Sequence, residues 1–398
     1  MIPVKFIPQG NNPVSSMTLI EQSLRAGGFS NLQQFYETAF ANMYGGVKWT
    51  SLFDVAAPTM TETYTQIKSK KGLPVMARYV AFDAEAPLIS RDSFAIGTGT
   101  MPKMKLGTMI NEKSIKETLY IISQANGNPV LNPIYEQFLV DQAKLLSGLH
   151  AQINFTGFQI ESTGKYISTD TNNGGGLIGL EFDFNVPAAH KRGCGGWGVK
   201  GAKKTWSDPT ANPIGDLRDM AQYAEDNFIP YGVFRMNKVT WNVFIDHPEV
   251  KRQVALFITK GLVSDTNLGY IPVDKESVQR YLVSLDIPQI EVVDDRTSVE
   301  SYDPATRKTV KRNVRGFADN TVLLRPAGKI GQLQWTPPSL DFATNDNPAF
   351  LTEGGKFAVR KFVSPKEQAM EFQADFTGLP VLDIPDYMLY LDISTAAA

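Results

Sequence analysis

Across residues 132–153, NPIYEQFLVDQAKLLSGLHAQI, the apolar side chains Ile134, Phe138, Leu145, Leu149 and Ile153 recur at helical spacing. Tyr135, Leu139, Ala143 and Leu146 form a second stripe beside them. The spacing predicts a helix that is apolar on more than one face and lies across a sheet. Asn132 offers a side-chain oxygen to the orphan amides, Pro133 stands where a missing N–H costs nothing, and Glu136 falls in the positive first turn. At about 1.5 Å per residue the helix spans roughly 33 Å, long against the radius of gyration of roughly 21 Å for one compact domain of this length. It reads as a spine joining separate lobes.

Upstream, Pro3, Pro8, Pro13 and Gly27-Gly28 punctuate residues 1–30 too often for a long element, which predicts an arm. Leu32, Phe35, Tyr36, Ala39, Phe40 and Met43 keep helical spacing from Asn31 to Tyr44, and Gly45-Gly46 stops the run. Residues 59–67 alternate as a strand. Residues 73–107 read as two extended arms around a weakly structured tip near 90–99, with Gly97, Gly99 and Gly107 inside and Pro87 and Pro102 on edges. Arms of roughly 14 residues at about 3.3 Å each would reach roughly 45 Å. An isolated two-stranded hairpin is barely stable in water, so this one needs a neighbouring subunit.

Residues 112–125 predict a further helix, with Ile115, Leu119 and Ile122 on one side. Beyond the spine, residues 157–206 alternate through GFQIESTGKYIS and GLIGLEFDFNVP around TDTNNGGG, the pattern of a hairpin. From Asp208 helices alternate with strands, which suggests a second lobe. Asn212 and Pro213 open a helix; VFRMNK reads as strand, VTWNVFIDHPEVKRQVALF as one helix, KESVQRYLVSL as another and QIEVVDDR as strand. SVESYDPATRKTVKRNV is a polar hairpin around Asp303-Pro304, and FADNTVLLRPAGKIGQLQWTPP gives two strands about a Pro/Gly break. In the closing segment Met388 and Tyr390 alternate with Leu389 and Leu391 on opposite faces. The tail is therefore expected to rejoin the first lobe's sheet, with the second lobe inserted.

The 398 residues exceed what one hydrophobic core usually fills, which agrees with two or three lobes. A net charge of -2 and a pI near 6.0 speak against a strong grip on nucleic acid or an anionic membrane over the whole surface. One cysteine, Cys194, and the scattered histidines His150, His190 and His247 supply neither a disulfide framework nor a Cys/His zinc cluster, so no metal or other cofactor is expected. The amino terminus lacks the apolar core of a secretion signal, and no run approaches the roughly 18 apolar residues of a membrane span.

Candidate chemistry is sparse. Gly174-Gly175-Gly176 and the GCGGWG run at 193–198 have the composition of phosphate-cradling loops without the order of a P-loop, and read as turns. Cys194 sits in a basic stretch with no histidine at a nucleophile spacing. His247 has no partner ligand nearby, and nothing in the sequence brings Asp294-Asp295 to Asp383 and Asp386 as an acid and base pair. Lys191, Arg192, Lys200, Lys203 and Lys204 form a basic run, and Arg307, Lys308, Lys311, Arg312 and Arg315 a second. Such runs are ordinarily solvated faces; the sharper reading has one of them face packaged nucleic acid or an acidic neighbour.

Five stretches resemble, in order, the lambda-like major capsid protein E group of tailed bacteriophages: APLISRD, WSDPTANPIGDL, VTWNVFIDHPEVK, FADNTVLLRPAG and SPKEQAMEFQADFTGLPVLDIPDYMLYLDIS. The resemblance runs from about Asn31 to Ser394, and residues 157–206 are longer and more glycine-rich than the family pattern. It implies an α+β, HK97-like capsid fold with an N-terminal arm (1–58), an extended β-hairpin loop (74–107), a β-rich peripheral domain in three pieces (59–73, 108–207 and 362–398) and an inserted α/β axial domain (208–361). It also implies a structural protein rather than an enzyme: a homo-oligomer whose hexamers and pentamers build an icosahedral shell around double-stranded DNA. Such a shell is assembled in the host cytoplasm with scaffold and portal proteins, and decoration proteins where present. Contact with the DNA is weak and non-specific, and Lys191, Arg192, Lys200, Lys203 and Lys204 are the residues expected to face it. Ile89, Arg91, Asp92 and Phe94 at the loop tip, with Phe35, Tyr36 and Phe40 on the arm helix, are the expected intersubunit contacts. An encapsulin-like compartment around cargo enzymes is the alternative on the same fold; a two-lobe enzyme with a cleft beside the spine has no motif behind it.

Overall fold

The computed structural model describes residues 47–69, 94–110, 132–174, 176–260, 272–303, 308–339, 349–364 and 369–397. The expected arm helix with Phe35, Tyr36 and Phe40, the loop residues Ile89, Arg91 and Asp92, and the expected helix over 112–125 lie outside them. Strands β1 (Phe53–Val55), β2 (Thr63–Ser69), β3 (Phe94–Thr100) and β4 (Lys103–Ile110) precede the spine helix α1 (Asn132–Thr163); β5 (Lys165–Ile167), β6 (Glu181–Asp183) and β7 (Lys191–Cys194) follow it. Next come α2 (Pro213–Asp226), β8 (Val233–Asn237), α3 (Lys238–Asp246), α4 (Pro248–Ile258), α5 (Lys275–Ser284), β9 (Ile290–Val293), β10 (Thr297–Asp303) and β11 (Lys308–Val314). The described chain closes with β12 (Thr321–Arg325), β13 (Gly331–Thr336), β14 (Ala349–Thr352), β15 (Phe357–Ser364), β16 (Ala369–Leu382) and β17 (Leu389–Ala396).

The spine starts at the expected Asn132 but continues past the expected Ile153 to Thr163, 32 residues or about 48 Å. The segment FTGFQIEST reads as strand because of its β-branched residues and glycine. Phe155, Phe158 and Ile160 are nonetheless all buried in the helix, and that burial outweighs propensity differences of about 1 kcal/mol or less per residue. Gly157 serves packing, since a Cβ there would stand 2.9 Å from the Phe53 ring. Gly164, at φ 75, ends the helix and donates its N–H to Ile160 O at 2.8 Å. The expected hairpin over 157–206 is thereby reduced to the short pair β5–β6.

A six-stranded sheet runs β1-β13-β16-β15-β14 with β4 also beside β16, and a five-stranded sheet runs β7-β17-β12-β8-β9. One core joins Leu145, Leu149, Ile153 and Phe158 of α1 to Leu333, Phe372 and Phe376 of the larger sheet and to Leu323 and Tyr390 of the smaller. The second core joins Val322, Leu324, Leu389 and Leu391 to Leu217 and Met220 of α2, Phe244 of α3, Val254 of α4 and Leu282 of α5. Successive strand residues point to opposite faces, so β12 and β17 form a wall with a core on each side. The closing strand β17 therefore joins the second lobe's sheet, antiparallel to β12 and parallel to β7, and not the first lobe's as expected. Conversely β13, β14 and β15, expected within the inserted lobe, pair in the sheet of β16.

Asn212 caps α2 as expected, accepting the Gly215 N–H, with Pro213 in the first turn. The single helix expected over 239–257 is two, because Pro248 disfavours helical backbone at His247, which adopts φ -64 and ψ 130. A buried charge cluster ties α1 to the five-stranded sheet. Glu161 is 0 % exposed, and its Oε1 lies 2.8 Å from Arg325 Nε and 2.8 Å from Arg235 Nε. Arg325 Nη1 also donates to Pro326 O and Gly328 O, and Tyr390 Oη donates to Glu161 O.

Candidate intersubunit surfaces

Besides the short pair β5–β6, two longer ribbons pair with no further strand among the described residues, β2–β3 and β10–β11. In the first, Thr63 faces Thr100 and Ser69 faces Phe94, so the chain departs at Ser69 and returns at its register partner. Gly99 lets the Tyr64 ring lie against the partner strand, where a Cβ would stand 2.5 Å from Cε1. The ribbon's base is tied down: Gln66 Nε2 donates to Leu382 O at 2.7 Å, and Thr65 exchanges hydrogen bonds with the Gln334 amide. The structure corrects the expected hairpin here. Phe94, expected at the tip, stands in β3, and β3 pairs with β2, whereas β4 pairs with β16 in the six-stranded sheet. The corner is made at Met101-Pro102, where Met101 is buried in the core and Pro102 has no N–H to continue the ladder.

The first basic run is not a free cationic strip. Lys191 Nζ donates to Thr163 O at 2.9 Å and lies over the Tyr390 ring, and desolvation there pulls its pKa down. The Arg192 guanidinium stacks on Trp197 and Tyr223 and donates to Ala189 O and Gly196 O. Lys204 pairs with Asp208, and Lys200 and Lys203 are exposed. In the second run Lys311 pairs with Glu300 across the ribbon and Arg315 with Asp319, while Arg307 lies outside the described residues.

The glycine-rich loop has a different purpose from the phosphate cradle its composition suggests. Its amides are taken by the protein's own carboxylates on α2. Asp216 Oδ1 accepts the Gly195 N–H at 2.7 Å and Oδ2 accepts Trp206 Nε1–H at 2.8 Å, while Asp219 Oδ2 accepts the N–H groups of Lys200 and Gly201, each at 2.7 Å. A Cβ on Gly201 would lie 2.0 Å from Asp216 Oδ1, so the loop passes too close for any other residue. Burial pushes the Asp216 carboxyl up to about 6, against the pull of those two donors. Cys194, beneath the loop, is buried and its thiol is pushed up to about 12, chiefly by burial, which leaves no thiolate for nucleophilic chemistry.

The remaining candidates are structural as well. His247 Nδ1 accepts the Glu249 N–H and caps α4, while Nε2 hydrogen-bonds Asp208 O at 2.9 Å, which places the proton on Nε2. Asp295 is buried against Lys48, and Asp294 pairs with Arg296. Asp383 is pushed up to about 6 by burial. Among the described residues no three His, Cys, Asp or Glu side chains converge as a metal site, and no helix is long and apolar enough to cross a membrane. Sequence reasoning passed over His150, which accepts the Trp49 Nε1–H at Nδ1 (3.1 Å) and meets Glu353 at Nε2 (2.8 Å), so the spine is pinned to residues beside β1 and β14, the two ends of the path β1-β13-β16-β15-β14 through the six-stranded sheet. It also passed over Asp216 and Asp219, whose spacing on one face of a helix beside a run of glycine amides was the available signal.

The sequence profile of the family described as phage major capsid protein E matches residues 36–391. No curated protein sequence matches the chain. Among solved structures, the chain is similar to a putative capsid protein of an E. coli prophage at 13 % identity and TM-score 0.47, covering 95 % of this chain and 99 % of that one. A phage-related protein of Bordetella bronchiseptica matches at 12 % identity and TM-score 0.45 over 90 % and 96 % of the two chains. The holo-SrpI encapsulin complex of Synechococcus elongatus matches at 9 % identity and TM-score 0.38 over 88 % of each. At these identities and TM-scores membership rests on the family profile, which spans nearly the whole of an α+β chain: this protein belongs to the phage major capsid protein E family.

Proposed function

We propose that this capsid subunit assembles with copies of itself, as hexamers and pentamers, into an icosahedral shell around the double-stranded DNA of a tailed phage. Assembly takes place in the host cytoplasm with scaffold and portal proteins, and the role is structural rather than enzymatic. The observation that carries this reading is the β2–β3 ribbon, which pairs with no further strand among the described residues and joins residues 69 and 94, the two ends of the stretch between its strands. A two-stranded ribbon gains little stability by itself and calls for cover from a neighbour. The use of Cys194 and of the glycine-loop amides in packing supports a structural role.

In this reading the α2–α5 lobe is axial and meets its copies around five-fold and six-fold positions, while α1 and the six-stranded sheet are peripheral. Ile89, Arg91 and Asp92 of the loop and Phe35, Tyr36 and Phe40 of the arm reach over adjacent copies, with Phe94 acting at the loop's base. Lys200, Lys203 and Lys204, exposed lysines of the basic run, face weakly bound DNA. The test is the content of particles isolated from producing cells. Nuclease-protected double-stranded DNA is expected inside them; protein cargo without DNA would make the protein a compartment shell instead.

A further inference from the structure

We propose that the unpaired edge of β4 is the seat for residues 80–86 of another copy of this chain, which add to the six-stranded sheet as a further strand. The proposal deepens the shell-subunit reading above and rests on it. β4 pairs with β16 in antiparallel register from Lys103↔Thr377 to Ile110↔Met370, and among the described residues no strand lies along its other edge. Such an edge is a template for pairing with a second chain. Lysine on an edge strand ordinarily wards off pairing, but here Lys103 and Lys105 share the strand with the exposed Leu106 and Met109. The two faces of β4 therefore specify what the edge accepts.

Successive residues of a strand point to opposite faces. Lys103 and Lys105 are exposed on the face of Asp375, whose carboxylate Lys103 reaches. On the other face Met104 and Leu106 stand beside Phe376 and Ala374 of the core, and Leu106 rests on α1 at Gly148, where a Cβ would not fit. A cavity of about 670 Å³ runs beside β4, with Leu149 and Gln152 of α1, Leu177 and Leu180 of the loop between β5 and β6, and Val299 of β10 in its wall. Leu106 and Leu177 are open to solvent there, Leu177 at 70 %, and among the described residues no acid lines the cavity. A strand added along this edge meets lysines on one face and exposed apolar groups on the other.

Residues 80–86, VAFDAEA, carry the matching pattern. Extended, they would set Val80, Phe82, Ala84 and Ala86 on one side and Asp83 and Glu85 on the other, two residues apart as Lys103 and Lys105 are. Opposite charges facing each other across a strand pair stabilise it, and placing Asp83 and Glu85 against the two lysines sends Phe82 toward the cavity. Pro87, which has no N–H, ends the ladder just beyond. Main-chain pairing supplies affinity and the alternating side chains supply selectivity.

Reach makes the seat one on a second copy. The stretch between β2 and β3 leaves at Ser69 and returns at Phe94, the end of the ribbon remote from the corner at Met101-Pro102 where β4 begins. From Glu85 to Phe94 the chain spans at most about 32 Å, and running back along β3 to that corner takes about 23 Å of it. Reaching the lysines of its own subunit would draw this return nearly taut, whereas the β4 of a neighbour sets no such demand.

The experiment uses variants of the full chain. Whether the added strand runs parallel or antiparallel, Ala84 stands opposite Met104. Particles of a chain with Ala84→Cys and Met104→Cys, whose natural Cys194 is buried, should give on oxidation disulfide-linked copies that neither single variant gives. Lys105→Glu sets like charges face to face and should lower particle yield roughly ten-fold. Adding Asp83→Lys or Glu85→Lys, whichever faces position 105, should restore the yield, which a misfolded subunit would not do; this swap also reads the contact if the cysteine chain does not assemble. Particles whose disulfides form within single chains or not at all, unchanged yield from Lys105→Glu, or no recovery with either swap would overturn the proposal. Wild-type chain that forms no particles under any condition would instead overturn the shell reading on which it rests.

Discussion

Replacing Glu161 by alanine probes the joint between the spine and the five-stranded sheet. The carboxylate is fully buried, and its Oε1 lies 2.8 Å from both Arg325 Nε and Arg235 Nε. Without it, Arg235 keeps the exposed Glu291 at 2.6 Å, but Arg325, 3 % exposed, keeps only the carbonyls of Pro326 and Gly328. Two guanidinium groups then face each other with no negative charge between them. Removing one partner of a buried pair typically costs about 3–5 kcal/mol, and the loss should fall on Arg325 because Arg235 retains a partner at the surface. The assay is urea unfolding of the subunit at concentrations too low for assembly. Glu161→Ala should lower the unfolding free energy by about 3–5 kcal/mol, and the double variant with Arg325→Met should lose less than the sum of the singles by about 1–3 kcal/mol. A loss under about 1 kcal/mol with additive singles would refute the view that this cluster holds the lobes together.

Asp216 sets a pH dependence with a definite sign. Its carboxyl is pushed up to about 6 in the fold from an ordinary value of 3.8, so the folded chain binds the proton more tightly and stability rises as pH falls through 6, levelling off below 3.8. From pH 7 to 5 the wild type should gain about 1 kcal/mol relative to Asp216→Asn, read by urea unfolding at each pH; parallel pH profiles would contradict this. Trp49→Phe removes the hydrogen bond to the buried His150 Nδ1 and should cost about 1 kcal/mol in the same assay, where an unchanged midpoint would count against the pairing. Reversing the charges of Arg91 and Asp92 together should reduce particle yield severalfold in electron micrographs, and normal shells would remove them from the interface.

What the sequence made legible was local. The start of α1 at Asn132-Pro133 and that of α2 at Asn212-Pro213 are each marked by an Asn-Pro pair, and at α2 Asn212 accepts the Gly215 N–H. The break between α3 and α4 was present in Pro248, although the apolar spacing on either side read as continuous. The end of α1 was hidden because Gly157 and the β-branched residues after it signal strand, while burial against Phe53 decides for helix. Strand partners were the least legible: β17 pairs with β12 and β7, segments far apart in the chain, and no local pattern selects that sheet over the other. Phe94 was misplaced for a related reason. The glycines of β3 resemble a tip, yet they let β3 lie against Tyr64 of β2.

The central claim is that the ribbon rooted at β2–β3 is covered by another copy of the chain. Cryo-electron microscopy of particles assembled from the purified protein tests it directly. Closed shells in which the segment between Ser69 and Phe94 lies on an adjacent subunit are the predicted result; a chain that stays monomeric, or a segment folded wholly against its own subunit, would contradict it.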